Sequence, residues 1–393
     1  MKIIHYCQHV LGIGHLVRTI EILKEFEGHD VILVNGGKPV ELPLPAHVRE
    51  FRLPVLMMDR EFKGLFPLEP GMSLEETKVR RRHILFDLIA NESPDLFILE
   101  LFPFGRRAFS FEIVSALDGI RVRKLPCRKV ACSLRDILVE SKKYWDRYEK
   151  EVVENLNRYF HILLVHSDPR LIRLEDTFTR TDQIKIPVLH TGYVAQKPTP
   201  DARKRIRAIH GIRDDERLII VSVGGGNVGA LLLESVLKGF NLINRKGGIH
   251  LMAFSGPFMP EKDYERLRKL TRDTAKIIRF TPDFLSYVAA ADLSVSMAGY
   301  NTCMNILAAH VPALVWPFDQ NREQKLRAER FARIGGLKIL KDSDLSPERL
   351  ALIMETAMAE KFHLTGDIDL SGAACSAGLL MKLLKDAQDR YGQ

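Results

Sequence analysis

The sequence is poor in the residues that build disulfide frameworks, zinc knuckles and membrane spans. Its five cysteines, Cys7, Cys127, Cys132, Cys303 and Cys375, are an odd, scattered set with no CxxC pair. That excludes a disulfide scaffold and a cysteine metal site and points to a reducing compartment, the cytoplasm. No apolar run approaches the ~20 residues of a membrane-spanning helix. The opening stretch from Met1 to Gln8 lacks the long apolar region and small-residue cleavage site of a signal peptide, and reads instead as a first core strand. No cluster of basic residues is interleaved with exposed aromatics in a recognisable nucleic-acid module, so nucleic acid is not an expected partner.

What is present is an ordinary globular composition, 46% hydrophobic and 27% charged, with a net charge of +8. The basic residues cluster at Lys78 to Arg82, Arg106-Arg107, Arg121 to Lys129 and Arg203 to Arg207. An anionic membrane surface, a phosphorylated substrate or a solvated basic face each accounts for them. A chain of 393 residues exceeds the usual limit of a single core and predicts two domains.

Apolar runs suited to buried strands alternate with helical-period segments along the whole chain, which predicts an α/β fold with parallel sheets and right-handed crossovers. In the first half the strands read as 2–6, 30–34, 95–99, 129–133, 161–165 and 187–190. Helices read as 15–26, 74–90 and 142–159, and the Pro- and Gly-punctuated segment 54–70 as a long loop. Val194 to Pro200, with two prolines and polar neighbours, is the linker. Strands then restart near 218–223, 250–254, 276–279, 293–296, 313–316 and 338–340. Ser346-Pro347 reads as a helix cap, and a last helix as 373–391.

Polar residues concentrate where strands exit. Gly224-Gly225-Gly226-Asn227-Val228-Gly229 follows one strand and opens a helix, literally G-x-G-x-x-G. The next strand ends in Ser255-Gly256-Pro257-Phe258 without the acid that a dinucleotide ribose needs, so the nicotinamide reading is weak. Met297-Ala298-Gly299-Tyr300-Asn301-Thr302 places a helix start, with its unpaired N–H groups, after a strand, an arrangement suited to a diphosphate. Phe280-Thr281 follows a third strand; Asp319-Gln320 and Glu323-Gln324 follow a fourth. In the first half, Gly12-Ile13-Gly14-His15-Leu16-Val17-Arg18 links the first strand to the first helix, and Glu100 ends another strand. A neutral imidazole there is chemically suited to taking a hydroxyl proton. His15 as a polar cap, Phe280 as core and the helix-start polars as solvated groups are the plainer alternatives.

The order of these pieces resembles the GT-B glycosyltransferases, above all the family 28 type, which includes the enzyme adding N-acetylglucosamine to lipid-linked peptidoglycan precursor. The resemblance implies two Rossmann-like domains facing a central cleft. Residues 1–195 would form an acceptor-binding domain and 196–370 a nucleotide-sugar-binding domain, with 371–393 a C-terminal helix crossing back to the first. It implies an inverting, metal-independent hexosyltransferase moving sugar from a UDP-type donor to a hydroxyl on a small molecule, glycan or lipid-linked acceptor. The enzyme would be cytoplasmic and would touch the inner face of a membrane. No cofactor is expected, the nucleotide-sugar being a substrate.

By the same resemblance Gly224, Gly225, Gly226 and Asn227 meet the donor, Phe280 and Thr281 the pyrimidine, and Ala298, Gly299, Asn301 and Thr302 the phosphates. Asn305 would meet the ribose, and Glu323 and Gln324 the sugar, with Asp319 and Gln320 in reserve. Gly12, Gly14 and Arg18 belong to the acceptor-side loop. His15 is the base, with His9 in reserve, and Glu100 an alternative base or orienting partner. Met297 departs from the family's phosphate-binding His, and Asn305 from its ribose-binding Glu, which removes a charge-assisted bond. Asp342-Ser343-Asp344 and Asp367-Ile368-Asp369 are D-x-D strings near helix starts, read as caps rather than metal ligands. A non-hydrolysing nucleotide-sugar epimerase and a non-catalytic nucleotide-sugar-binding protein remain the alternatives.

Overall fold

Short buried runs of branched and aromatic residues pair edge to edge into two separate parallel sheets in the computed structural model, which describes residues 1–9, 13–58, 64–138, 145–272, 274–318, 322–360 and 364–389. The chain divides into two compact units, Met1–Val194 together with Asp369–Gln393, and Ala195–Ile368.

The first unit runs β1 (Lys2–Cys7), α1 (Gly14–Lys24), β2 (Asp30–Asn35), β3 (Val48–Arg52), β4 (Leu56–Met58), β5 (Leu65–Pro67), α2 (Leu74–Glu92), β6 (Leu96–Glu100), α3 (Ser110–Arg121), β7 (Lys129–Arg135), α4 (Trp145–Tyr159), β8 (Ile162–His166) and β9 (Val188–His190). Its main sheet has the order β3-β2-β1-β6-β7-β8-β9, parallel throughout. The central strands are buried along their length, as a sheet covered by helices on both faces requires. Strand order reverses between β1 and β6, where Tyr6 lies beside Leu99. In open parallel sheets the space beyond the carboxyl ends at such a reversal is where ligands bind.

The second unit repeats the plan: α5 (Ala202–Ile209), β10 (Arg217–Ser222), α6 (Ala230–Ile243), β11 (Ile249–Phe254), α7 (Glu261–Arg268), β12 (Ala275–Ile278), α8 (Phe284–Ala290), β13 (Leu293–Ser296), α9 (Tyr300–Ala309), β14 (Ala313–Val315), α10 (Arg322–Arg333), β15 (Lys338–Ile339) and α11 (Pro347–Ala359). Its sheet order is β12-β11-β10-β13-β14-β15, with the reversal between β10 and β13. Ser346 caps α11 with Pro347 in its first turn.

The last helix, α12 (Gly372–Asp389), belongs to the first unit. Its Ala377, Leu380 and Leu384 share one buried cluster with Leu16, Ile20 and Leu23 of α1. Two other features depart from the sequence reading. The segment read as a loop over 54–70 contains the antiparallel pair β4–β5, and β3 and α3 are elements to which no assignment was made. Beneath the β1 exit, Arg81 of α2 is sealed from solvent and binds Glu112 of α3 through Nε (2.7 Å) and Nη2 (2.6 Å). It also donates to Gln8 Oε1 (2.8 Å) and Pro54 O (2.6 Å), fixing the loops around β1. No helix among the described residues is long and apolar enough to cross a membrane.

Candidate functional site

At the first unit's reversal, α1 begins at Gly14, so His15 sits in its first turn and Arg18 follows three residues later on the same face. Both reach Glu100, the last residue of β6. His15 Nδ1 lies 2.8 Å from Glu100 Oε1, and Arg18 Nη2 donates to the same oxygen. Glu100 and Arg18 are buried, whereas the His15 side chain keeps 17% exposure.

Burial pushes His15 down to about 4, against the pull of Glu100. Burial alone would raise Glu100, but His15, Arg18 and Arg106 hold it well below the ordinary carboxylate range. At neutral pH the pair is therefore carboxylate and neutral imidazole. Arg18 Nη2 also lies 3.1 Å from Nδ1, but the shorter contact is to Glu100, and a carboxylate only accepts, so Nδ1 carries the proton and Nε2 is left as the basic atom. Gly14 is half-buried at the start of α1, and Gly12 lies outside the described residues. The reserve His9 is buried, with Nε2 2.8 Å from Lys38 O.

Further polar residues lie behind this pair, and the sequence reading missed them. His5 of β1 is fully buried, with neither ring nitrogen paired, and desolvation takes it down to about 4. His166 of β8 lies 2.7 Å from Ser133 Oγ through Nε2 and 3.0 Å from Thr191 Oγ1 through Nδ1. Its burial takes it down to about 3. The loop after β6 holds two non-glycine residues in the left-handed region, Leu101 (φ 68°) and Arg106 (φ 61°). Such conformations persist only where the surrounding structure enforces them, and they cluster at functional sites.

In the second unit the turn after β10 carries Gly224 (φ 64°), Gly226 (φ 87°) and Gly229 (φ 98°). These glycines do different jobs. A Cβ on Gly226 would lie 2.2 Å from Ser255 O, and one on Gly256 2.3 Å from Gly224 O, so these two turns pack backbone on backbone. Phe258 N–H donates to Gly225 O across the same contact (2.9 Å). Gly224 faces open space, and Asn227 beside it is exposed.

Across the reversal, Gly299 is the N-cap of α9, and the nearest atom to a Cβ there would be Thr302 Oγ1 at 3.9 Å, which leaves the helix start uncrowded. Asn301 and Thr302 are half-buried in the first turn, and Asn305, one turn on, is 9% exposed. Met297 does not face that opening; it is buried in the core against Gly229.

Two supporting contacts come from α10. Arg327, fully buried, donates to Ala298 O (3.1 Å) and Glu323 Oε1 (2.6 Å) and lies over the Tyr300 ring. Glu323 thus holds the arginine that props the α9 turn. Gln324 Oε1 accepts the Phe318 N–H (3.2 Å). The sequence reading gave Arg327 no role; its role is a contact with the start of α9 that local sequence does not encode.

Phe280 and Thr281 follow β12 half-buried, and Thr281 Oγ1 accepts the Asp283 N–H (3.2 Å) at the start of α8. Asp319 and Gln320 lie outside the described residues. In the D-x-D strings, Asp342 accepts from Trp316 Nε1 (2.8 Å), Asp344 from the Lys341 N–H (2.9 Å), and Asp369 from the Ser371 N–H (2.9 Å).

The comparisons with known proteins meet this geometry in the second unit. Residues 220–365 match the glycosyltransferase family 28 C-terminal domain, a span that includes the Gly224–Gly229 turn, the α9 start and the Glu323–Arg327 pair. This segment is similar to the family 28 C-terminal domain. The chain as a whole is family 28-like and has the α/β fold of the GT-B glycosyltransferases.

It is 28% identical over 155 residues to the UDP-N-acetylglucosamine–N-acetylmuramyl-(pentapeptide) pyrophosphoryl-undecaprenol N-acetylglucosamine transferase of Carboxydothermus hydrogenoformans. That match covers 38% of this chain and about two fifths of the relative (40%). MurG of Acinetobacter baumannii superposes with a TM-score of 0.54 at 15% identity, over 98% of this chain and 100% of that one. A UDP-N-acetylglucosamine 2-epimerase described as putative, from Listeria monocytogenes, gives 0.61 at 14% identity, over 99% and 97%. At such identities the last two likenesses speak for the fold alone.

Proposed function

We propose that this chain is an inverting glycosyltransferase that moves a sugar from a UDP-type donor to a hydroxyl acceptor without a metal ion. In this reading residues 196–370 bind the donor, residues 1–195 bind the acceptor, and 371–393 complete the first domain. The family 28 domain supports the donor half. The observation that carries transfer, rather than binding alone, is the neutral His15 imidazole, its Nδ1 engaged by Glu100 and its Nε2 basic.

His15 Nε2 takes the acceptor hydroxyl's proton as the oxygen attacks the anomeric carbon opposite the leaving diphosphate. Glu100 holds the ring's tautomer and stabilises the imidazolium that forms. The N–H groups at the α9 start, with Asn301 and Thr302, receive the charge that develops on the diphosphate, and Gly224 admits it close to the backbone. Asn305 takes a ribose hydroxyl, Phe280 and Thr281 the base, and Gln324 with Glu323 the sugar.

A cytoplasmic enzyme at the inner face of a membrane suits a lipid-linked acceptor. The surface of α2 and the adjoining β5 offers exposed Phe66, Leu68 and Val79 near the basic Arg80 and Arg82 for such contact.

A thermal-shift screen of nucleotide diphosphates and their sugar conjugates tests the donor half, since a ligand of the native state raises its melting temperature. UDP and a UDP-sugar are expected to stabilise the protein, and Asn301→Ala to weaken both. His15→Ala is expected to keep donor affinity and lose about 10²–10⁴-fold in donor turnover. Full turnover in that variant with an unchanged pH profile removes His15 from the mechanism. Isomerised sugar without any acceptor identifies an epimerase, and binding without turnover a non-catalytic protein.

A further inference from the structure

Arg106, at the first unit's ligand edge, is an arginine that the transfer reading leaves unused. It stands in the loop after β6 in a left-handed conformation, and it is half-buried. Its side chain makes no hydrogen bond or ion pair among the described residues, and its Nε is shut off from solvent with no acceptor. An arginine carries five N–H donors, and burying them unmet is costly. The acid whose charge acts on it, Glu100, is already committed to His15 and Arg18.

A second cation stands close by. Arg135 ends β7, half-buried; burial lowers Arg106 below the ordinary arginine value against the pull of Glu100, and the charge of Arg135 adds to the lowering. Arg106 in turn helps depress His15 and His9, so its charge reaches the same pocket as the proposed base. His5, His15 and His166 are neutral at pH 7 and offset nothing. The edge therefore has a guanidinium whose buried Nε finds no acceptor among the described residues, a second cation whose charge acts on it, and a left-handed backbone; the guanidinium's charge acts on His15.

We propose that Arg106, backed by Arg135, receives an anionic group on the acceptor, a phosphate or a carboxylate, and so presents the acceptor hydroxyl to His15. Both groups match the guanidinium fork bidentately. A stability cost of this kind is commonly retained where ligand binding repays it. The anion site stands on its own observations; naming its ligand an acceptor rests on the transfer reading.

The test titrates inorganic phosphate and, separately, acetate into the full chain with UDP present to occupy the second unit, by calorimetry. Saturable binding of one of them is expected, at least fivefold weaker in Arg106→Gln and partly restored in Arg106→Lys; whichever anion binds more tightly identifies the group. UDP affinity is expected to stay within twofold in both variants. Arg106→Gln is also expected to move the acid limb of the turnover profile to higher pH, because a cation that depresses His15 is gone. Equal anion binding in wild type and Arg106→Gln overturns the proposal. So does a fall in melting temperature of more than about 5 °C in Arg106→Gln, which would make the side chain structural. Failure of UDP to bind would sink the transferase reading and leave the anion site standing.

Discussion

At the scale of single residues, three imidazoles are kept uncharged by burial along one strand edge, and acid should exploit this. His5 and His15 titrate at about 4 and His166 at about 3 in the folded chain, against ~6.5 when exposed. Between pH 6.5 and 4 the unfolded state therefore binds more protons than the native state, so stability is fully present above 6.5 and drains away as pH falls. Each histidine contributes up to about 1.4 kcal/mol per pH unit across that window. Urea unfolding at pH 7, 5.5 and 4.5 measures the slope. His5→Leu is expected to flatten it by about one histidine's share and to cost little at pH 7, because His5 has no partner to lose.

The residues themselves also show what local sequence can convey. His15, Arg18 and Glu100 were legible because a glycine-bracketed turn at a helix start and an acid at a strand end are local patterns. Ser133 and His166 were not, since only the order β1-β6-β7-β8 brings strands from distant parts of the chain side by side.

At the scale of elements, two glycines of the turn after β10 should respond differently to the same change. Gly226→Ala forces a Cβ into the Ser255 carbonyl and is expected to cost on the order of 2–4 kcal/mol. Gly224→Ala meets open space, so only the left-handed backbone resists, at about 1 kcal/mol. It is nevertheless the variant expected to weaken UDP binding more. Denaturant midpoints and UDP titrations of both variants separate packing from access.

Most strands of both units were readable as buried apolar runs. β3, with its sequence Val-Arg-Glu-Phe-Arg, was not, because an edge strand with exposed charges carries no such run. The strands β4 and β5 are three residues each, too short for any periodicity to register amid prolines.

At the scale of the whole molecule, the first unit is discontinuous in sequence. The chain leaves it at Val194 and returns at Asp369. The two crossings are stitched together: Tyr193 N–H donates to Asp369 O (2.7 Å), Gly372 N–H to Tyr193 O (3.0 Å), and Val194 bridges Ser371. Beyond them α12 covers Leu16, Ile20 and Leu23, which are 3%, 5% and 0% exposed. Deleting 372–393 uncovers that face and is expected to destabilise the first unit by on the order of 5 kcal/mol. Hydrogen exchange should show α1 and β1 losing protection while β10 and β13 keep theirs.

The same stitching sets an order of events during synthesis. The ribosome delivers the whole second unit before the helix that closes over α1 exists. At ~5–20 residues per second, the apolar stripe on α1 waits roughly ten to forty seconds for its cover after Val194 has been made. The unit whose synthesis begins first is thus the one whose last element is made last.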